Sequence, residues 1–511
     1  MDHPPRMTEA SALLEYHRAS SHRAEAWAPG PLQVDWDSQP DPVRRWPGAP
    51  TLPLPRLVPP DLRFEALDRP GAVPPQPLTL AGVAQMLQLS LGIAAWRQLG
   101  PDRWALRVNP SSGNLHPTEA HLLAAGIAGL PDGIHHHVPT GPLLEQRAAA
   151  RFARPGLWVA LTSIHARETW KYGLRAFRYS LLDTGHALAA LRYAAALLGW
   201  SAVPVPMPPG ALARLLGLDV PRGAEAEDPE LLLQIRPGPP AAPERPEPDP
   251  LSWQGRPARV CKLPPDPWPA LDRAIRASAA PDLPGLPELA PRPPRDLPRP
   301  AAEVILSRRS ARRLSGRRPL PAPAFAAILE AMLPRAAPPF DALPWPVAIQ
   351  PVIFVHNVEA LPPGLYALPR GAGARAALVA DFDPDLPWTP VAGLPLFRLG
   401  GGNLRPLARR LSGHQDIGGG GGMTIALLGD FGPLRQGDPG QYRRMHWEAG
   451  ALGQRLYLEA GALGLGASGI GCFLDDEVRG LLGPAPGRFR SVYHFAIGHT
   501  RPDRGAAGPD A

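Results

Sequence analysis

The chain has 511 residues, 44% hydrophobic but only 6% aromatic, so two or three domains with Ala, Leu and Val cores are within reach. Its formal charge of +7 rests on arginine, with Lys171 and Lys262 the only lysines, a bias of GC-rich coding rather than a nucleic-acid footprint. Cys261 and Cys472 are the only cysteines, which excludes a disulfide framework and a Cys-ligated zinc site.

The opening "MDHPPRMTEASALLEYHRASS" lacks the apolar core of a signal peptide. No window reaches about 18 uninterrupted apolar residues, and the best, "ALAALRYAAALLGW", carries Arg192 in its middle. A cytoplasmic protein without a membrane span is expected.

The first motif is "NPSSGNLHP" at 109–117, a loop with good turn chemistry. His135, His136 and His137 follow. Neighbours in an extended segment point to opposite faces, so this cluster is a poor chelate and reads as structural, with no metal expected. A β-like run "LWVALTS" leads to "WKYGLRAFRY" and the long helical stretch "SLLDTGHALAALRYAAALLGW". Lys171 keeps an ammonium where arginine is otherwise the rule, which suits an amine that burial can hold neutral as a base. Tyr172 and Arg175 are expected to tune it.

From Arg236 to Pro300 the chain runs through "RPGPPAAPERPEPDP" and "APRPPRDLPRP", with one short helix expected at "PALDRAIRASAA". The organisation expected is a first unit at 1–235, a Pro-rich linker at 236–300 and a second unit at 301–505.

The second unit opens on "LSRRSARRLSG", where Arg308, Arg309, Ser310 and Arg312 offer charge-assisted donors suited to a phosphate monoester. The five glycines at 418–422 read as a flexible loop. Then come "MTIALLGD", a second long helix "YRRMHWEAGALGQRLYLEAGALGLG" and "GASGIGCFLDDEVRGLLG". Gly464, Gly466 and Gly469 satisfy G-x-G-x-x-G, but they close a helix instead of opening one, which excludes a Rossmann reading. They suit a helix C-cap followed by backbone able to approach a flat ligand.

The units match at a constant offset: Asp183 with Glu448, Gly185 with Gly450, Leu191 with Leu456 and Gly199 with Gly464. "GIHHHVP" pairs more weakly with "GLYALPR". This is a duplication of an α+β sheet-and-helix unit. Helices that are apolar almost all round must be buried, so the copies are expected to pack as an intramolecular pseudo-dimer, compatible with a monomer.

Together these stretches resemble the nitroreductase-like FMN-dependent flavoproteins, and among them the SagB-type (azoline) dehydrogenases in a tandem-duplicated form. The resemblance rests on "PSSGNLHPTEA", "KYGLRAFRYSLLDTGHAL", "SRRSARRL" and "GLGASGIGCFLDDEVRGLLG", and on the N-terminal "YHRASSHRAEAW". It implies FMN at the interface between units, with the phosphate on the Arg-Arg-Ser motif of one unit and the P-S-x-G-N loop supplied by the other. Here each half keeps one part. The second half has "APPFDALPWPVAIQPV" in place of the loop, and the first has "YHRASSHR" and "LLGWSAVPVPM" in place of the other two motifs.

One FMN per chain is therefore expected, its phosphate on Arg308, Arg309, Ser310 and Arg312. Pro110, Ser111, Ser112, Gly113 and Asn114, with Gly469, Ile470 and Gly471, would line the ring. The subgroup's Lys-Tyr pair falls on Lys171 and Tyr172, implying proton abstraction and hydride transfer to flavin in an azoline of a modified peptide or small molecule. A separately encoded cyclodehydratase is the implied partner and dioxygen the implied oxidant. Leu174 stands where the family usually has an acidic residue. The alternatives are an NAD(P)H-dependent nitro or quinone reductase on the same fold and a non-catalytic peptide-binding scaffold.

Overall fold

The computed structural model describes residues 8–219, 223, 225–249, 251–278, 283–285, 289 and 297–501. Each half is built on an antiparallel sheet, and the two sheets repeat the same path. In the first half the order is 143–149, 133–138, 118–125, 156–163, 228–237, 200–204. In the second it is 397–401, 364–367, 349–355, 423–430, 489–500, 466–470. Short edge strands, Thr51–Pro53 in one and Thr389–Pro390 in the other, cap corresponding sides. The sequence-matched runs at 156–163 and 423–430 occupy the same central place, and so do 133–138 and 364–367.

Each sheet is covered by a long helix, Ala176–Leu197 and Gln441–Ala462. Every residue of the first is buried, which accounts for a sequence apolar almost all round. The two helices cross where their matched glycines meet. A Cβ on Gly185 would stand 2.2 Å from the Trp447 carbonyl oxygen, and one on Gly450 2.1 Å from that of Leu182. Leu182 and Trp447 are separated by the same offset as the glycines, so the crossing is a local two-fold between the duplicated halves. A second reciprocal pair lies at the other end of the interface: Phe64 N–H donates to Arg299 O (2.9 Å) and Ala301 N–H to Leu62 O (2.7 Å).

Buried ion pairs stitch the halves together. Arg192 grips Asp341 through two bonds (2.9 and 2.7 Å), Arg455 grips Asp68 (2.6 and 2.9 Å), and Arg443 reaches Glu230. Arg175 and Arg178 converge on Asp475 (2.9 and 2.6 Å). Removing one partner of such a buried pair leaves an uncompensated charge, so each fixes register more than it adds net stability.

The N-terminal segment crosses to the second half. Helix Glu9–Ala19 brings His17 to Tyr442 (3.3 Å). The chain then exchanges backbone and carboxylate bonds with Asp475 through His22 and pairs Arg23 with Asp476 (2.6 Å). The Pro-rich region carries strand Ser252–Trp253 on the edge of the first sheet and the expected short helix at Pro269–Ala277. The glycine run at 418–422 is a packed turn rather than a flexible loop: Ile417–Gly420 is helical, and a Cβ on Gly418 would lie 2.5 Å from Ser412. Close packing explains the glycines there. Among the described residues no helix is long and apolar enough to cross a membrane.

His136 is buried between Glu119 (3.0 Å) and Glu145 (3.1 Å), whose hydrogen bonds raise its pKa against the effect of burial. His135 bonds the Pro131 carbonyl and His137 is buried, its pKa lowered to about 3 by desolvation. The three side chains serve different parts of the first half.

Candidate functional site

The 109–117 loop follows a two-stranded ribbon, Ile93–Leu99 and Asp102–Arg107, that joins neither large sheet. Ser112–Asn114 makes a single tight turn, with Gly113, Asn114 and His116 all at positive φ (61°, 60° and 52°). Such backbone suits Gly and Asn, and short-range bonds hold the rest. Ser111 Oγ accepts from His116 N–H (2.8 Å), Asn114 Nδ2 donates to Ala105 O (3.0 Å), and His116 Nε2 meets Asn114 Oδ1 (3.0 Å). From below, both carboxylate oxygens of Asp183 accept from Ser112 N–H (3.2 Å each).

Helix Ala301–Ser307 ends at Arg308, which leaves its own half altogether. Arg308 Nε donates to Val108 O (2.7 Å) and Nη2 to Arg107 O (3.0 Å), the carbonyls just ahead of the loop. Its Nη1 is buried with no hydrogen-bond partner among the described residues, and burial lowers its pKa to about 10. Arg309 reaches Ala94 O on the ribbon (3.1 Å). Ser310 Oγ lies 2.7 Å from Tyr457 Oη, which also accepts from Gly469 N–H (2.8 Å).

These residues border a cavity of about 860 Å³. Arg97, Arg299, Arg308, Arg309, Arg312, Arg313 and Arg501 line it with no acidic side chain among them. Arg312 sits at its exposed rim. Seven guanidiniums and an unmatched buried N–H form an environment that favours a multiply charged anion.

The glycines after the second long helix lie in strand Gly466–Ile470, after Gly464 turns the chain at φ 70°. A Cβ on Gly469 would fall 1.8 Å from Tyr493 Oη, and one on Gly471 2.4 Å from the Tyr179 ring. Ile470 is buried behind them. Tyr493 Oη meets His186 Nε2 (3.1 Å), a histidine whose pKa burial lowers to about 3.

Lys171 and Tyr172 end helix Ala166–Tyr172. Gly173 follows at φ 53°, where a Cβ would run 2.4 Å from Gly30 Cα, so glycine is required for the N-terminal segment to pass. Tyr172 Oη would lie 2.7 Å from a Cβ on Gly113, and its ring stacks edge-on to Tyr179 at 4.6 Å. The Ser111–Asn114 loop, Tyr172, Tyr179 and Gly471 thus form one continuous wall. Lys171 is half-buried rather than desolvated, with Nζ 5.0 Å from the Trp36 ring and 5.4 Å from that of Tyr172. Arg175 does not turn toward it; its guanidinium is committed to Asp475, Ser20 O and Gly471 O.

The pseudo-symmetric position is arranged differently. Glu448, matched to Asp183, accepts from Ala348 N–H (2.8 Å) as Asp183 does from Ser112. Elsewhere between the halves Arg192 pairs with Asp341 and Trp345 packs against Trp447, all four buried. Pro204 and Pro206 stand where Gly469 and Gly471 do in the other copy. The reciprocal bonding of 62–64 with 299–301 places the counterpart of the Arg-Arg-Ser motif after Phe64–Asp68, at "RPGAV". "YHRASSHR" is instead the N-terminal helix and strap, a correction that follows from chain path rather than composition.

Sequence reasoning passed over His186, Tyr179, Tyr457 and Tyr493. The first two lie on the long helix, inside the quoted "KYGLRAFRYSLLDTGHAL", where no role was assigned to them.

Residues 305–499 match the Nitroreductase family model, so the second half is similar to that family over this span. A nitroreductase candidate from Anabaena variabilis superposes over 97% of this chain and 100% of its own at 21% identity, TM-score 0.69. One from Ralstonia eutropha covers 42% of this chain and 98% of its own at 19% identity, TM-score 0.29. A chain of the E. coli microcin synthetase McbBCD complex with truncated pro-MccB17 covers 32% of this chain and 64% of its own at 19% identity, TM-score 0.26. No curated protein matches. The chain has a tandem, two-unit nitroreductase fold.

Proposed function

We propose that this tandem nitroreductase-fold chain is an FMN-dependent oxidoreductase of the SagB type, binding one FMN per chain across its two halves. Its substrate would be an azoline ring of a modified peptide or a related small molecule, presented after a separately encoded cyclodehydratase has formed the ring. The observation that carries the reading is Arg308, which reaches from the basic cavity of the second half to the carbonyls of Arg107 and Val108 at the head of the first half's loop.

The residues fit the group. Arg308, Arg309, Ser310 and Arg312 would hold a phosphate, with the Arg308 Nη1 donor available to it. The Pro110–Asn114 loop and the Gly469–Gly471 backbone would line the ring, which glycine allows to approach closely. FMN, when bound, supplies a hydride acceptor that dioxygen can reoxidise.

Lys171 would take the proton from the ring carbon. The faces of Trp36 and Tyr172 stabilise the ammonium so formed, an effect worth about 0.5–2 kcal/mol. Tyr172, its phenol pKa raised by burial, stays protonated as a hydrogen-bond donor toward the substrate. Replacing Lys171 by alanine should leave FMN bound while oxidation of a synthetic thiazoline peptide falls by about 100-fold or more, the scale of a lost general base. Unchanged turnover would remove Lys171 from the chemistry.

A nicotinamide-dependent reductase is the second reading. It is favoured by the arginines that continue past the phosphate cavity into an adjoining one of 500 Å³, among them Arg317 and Arg405. Rapid bleaching of bound flavin by NADPH would select it.

A further inference from the structure

Eight large apolar side chains are exposed among the described residues, and three of them, Trp27, Leu32 and Trp36, fall within ten residues of the N-terminal segment. Single exposed apolar groups are ordinary, but several on one segment mark a surface that a ligand covers. Trp36 is 61% exposed, and it is the one that touches the candidate chemistry: Lys171 Nζ lies 5.0 Å from the centre of its ring.

The segment is not a loose tail. A Cβ on Gly173 would stand 2.4 Å from Gly30 Cα, and Pro29 O accepts from Leu174 N–H (2.9 Å), so the chain is pressed onto the turn that follows Tyr172. Farther along, Lys262 Nζ donates to Asp37 O (2.7 Å) and Trp170 Nε1 to Ser38 Oγ (3.0 Å). Asp35 then fixes how the tryptophan is presented. Its Oδ1 accepts from Asp37 N–H (3.1 Å), capping the single turn Trp36–Ser38. The Trp36 ring meets that of Trp170, next to Lys171, edge-on at 5.5 Å.

We propose that residues 27–38 form the specificity-determining wall of the Lys171 site, with Trp36 receiving an apolar side chain next to the ring that is oxidised. The proposal rests on the function given above and narrows its substrate class to azoline peptides whose residue beside the ring is apolar or aromatic.

The geometry carries it in two steps. Trp36 is anchored through Trp170, Ser38 and Asp37 with its ring beside the Lys171 ammonium, so a molecule that delivers a proton to Lys171 comes against the indole. What the indole offers there is a broad flat apolar surface still in water, and covering it favours an apolar or aromatic neighbour over a polar one. A basic neighbour is disfavoured further by the ammonium groups of Lys171 and Lys262, which flank the wall.

Two synthetic thiazoline peptides, identical except for Phe or Ser immediately before the ring, test the wall on the FMN-loaded full chain. The wild type should favour the Phe peptide by about tenfold or more in kcat/KM, the scale on which an apolar contact discriminates. Trp36→Ala should bring the two peptides to within about twofold of each other, and Trp36→Phe should restore most of the preference. Because Trp36 also faces Lys171, kcat falls alike for both peptides in Trp36→Ala, and the ratio between them is the measure. Val379→Ser, an exposed apolar position of helix Ala374–Asp381 in the other half, should leave the ratio as it is. An equal preference in Trp36→Ala and the wild type would overturn the wall while the oxidation stands. Fluorescence anisotropy of the labelled Phe peptide separates the two claims: binding that weakens about tenfold in Trp36→Ala, without turnover in any variant, keeps the wall and ends the dehydrogenase reading. Absence of binding to the wild type would overturn both.

Discussion

Gly450→Leu is expected to destabilise the chain by roughly 3 kcal/mol or more and to lower its urea midpoint accordingly, the upper range for overpacking a rigid interior. The reason is backbone, not side-chain, crowding. A Cβ at 450 would lie 2.1 Å from Leu182 O and 3.0 Å from Gly185 Cα, and neither atom can turn away as a flexible side chain could. Separating the helices to admit it would open both ends of an interface that carries the Arg175, Arg192 and Arg455 ion pairs. Gly185→Leu should match it, because the two positions are equivalent under the local two-fold. Gly480→Ala is the control: it lies exposed in helix Asp475–Leu482 with nothing within 4 Å of the added Cβ. Helix propensity there should make the change neutral or stabilising by about 0.5–1 kcal/mol. Equal midpoints for Gly450→Leu and the wild type would remove the tight crossing from the account.

Arg308→Ala should reduce FMN affinity by about 100-fold, judged from the 1.5–3 kcal/mol of hydrogen bonds to a charged group. Arg308→Lys should restore little of it. Lysine supplies the charge but not the planar fork that reaches Val108 O and Arg107 O at once while leaving Nη1 over. Arg501→Ala, at the exposed edge of the same cavity, should cost far less because solvent screens it. Fluorescence titration of free FMN measures all three. Comparable losses for Arg308→Ala and Arg501→Ala would mean that the cavity acts as a diffuse basic surface.

The duplication was legible because packing imposes it on sequence. Gly185 and Gly450 can be nothing larger at a backbone-to-backbone crossing, and Asp183 and Glu448 both cap a loop N–H, so each pair survives at a constant offset. The paired strands 156–163 and 423–430 were legible for the same reason, being central and buried on both faces. The loop at 109–117 announced itself through its turn residues.

Other features left no local mark. That Arg308 crosses to the other half depends on where two chain segments some two hundred residues apart come to lie, which periodicity does not encode. The N-terminal "YHRASSHR" was set at the place of the lost Arg-Arg-Ser motif, whereas the chain path makes it a strap over helix Asp475–Leu482. The glycine run at 418–422 misled in the opposite sense, since the same residue type serves mobility and close packing alike.

The central claim is that two ancestral sites have become one, with Pro204 and Pro206 at the pseudo-symmetric places of Gly469 and Gly471. Native mass spectrometry of the FMN-reconstituted chain tests it most directly. The expected result is one FMN per chain for the wild type and none for Arg308→Ala; two FMN per chain, or none for the wild type, would contradict it.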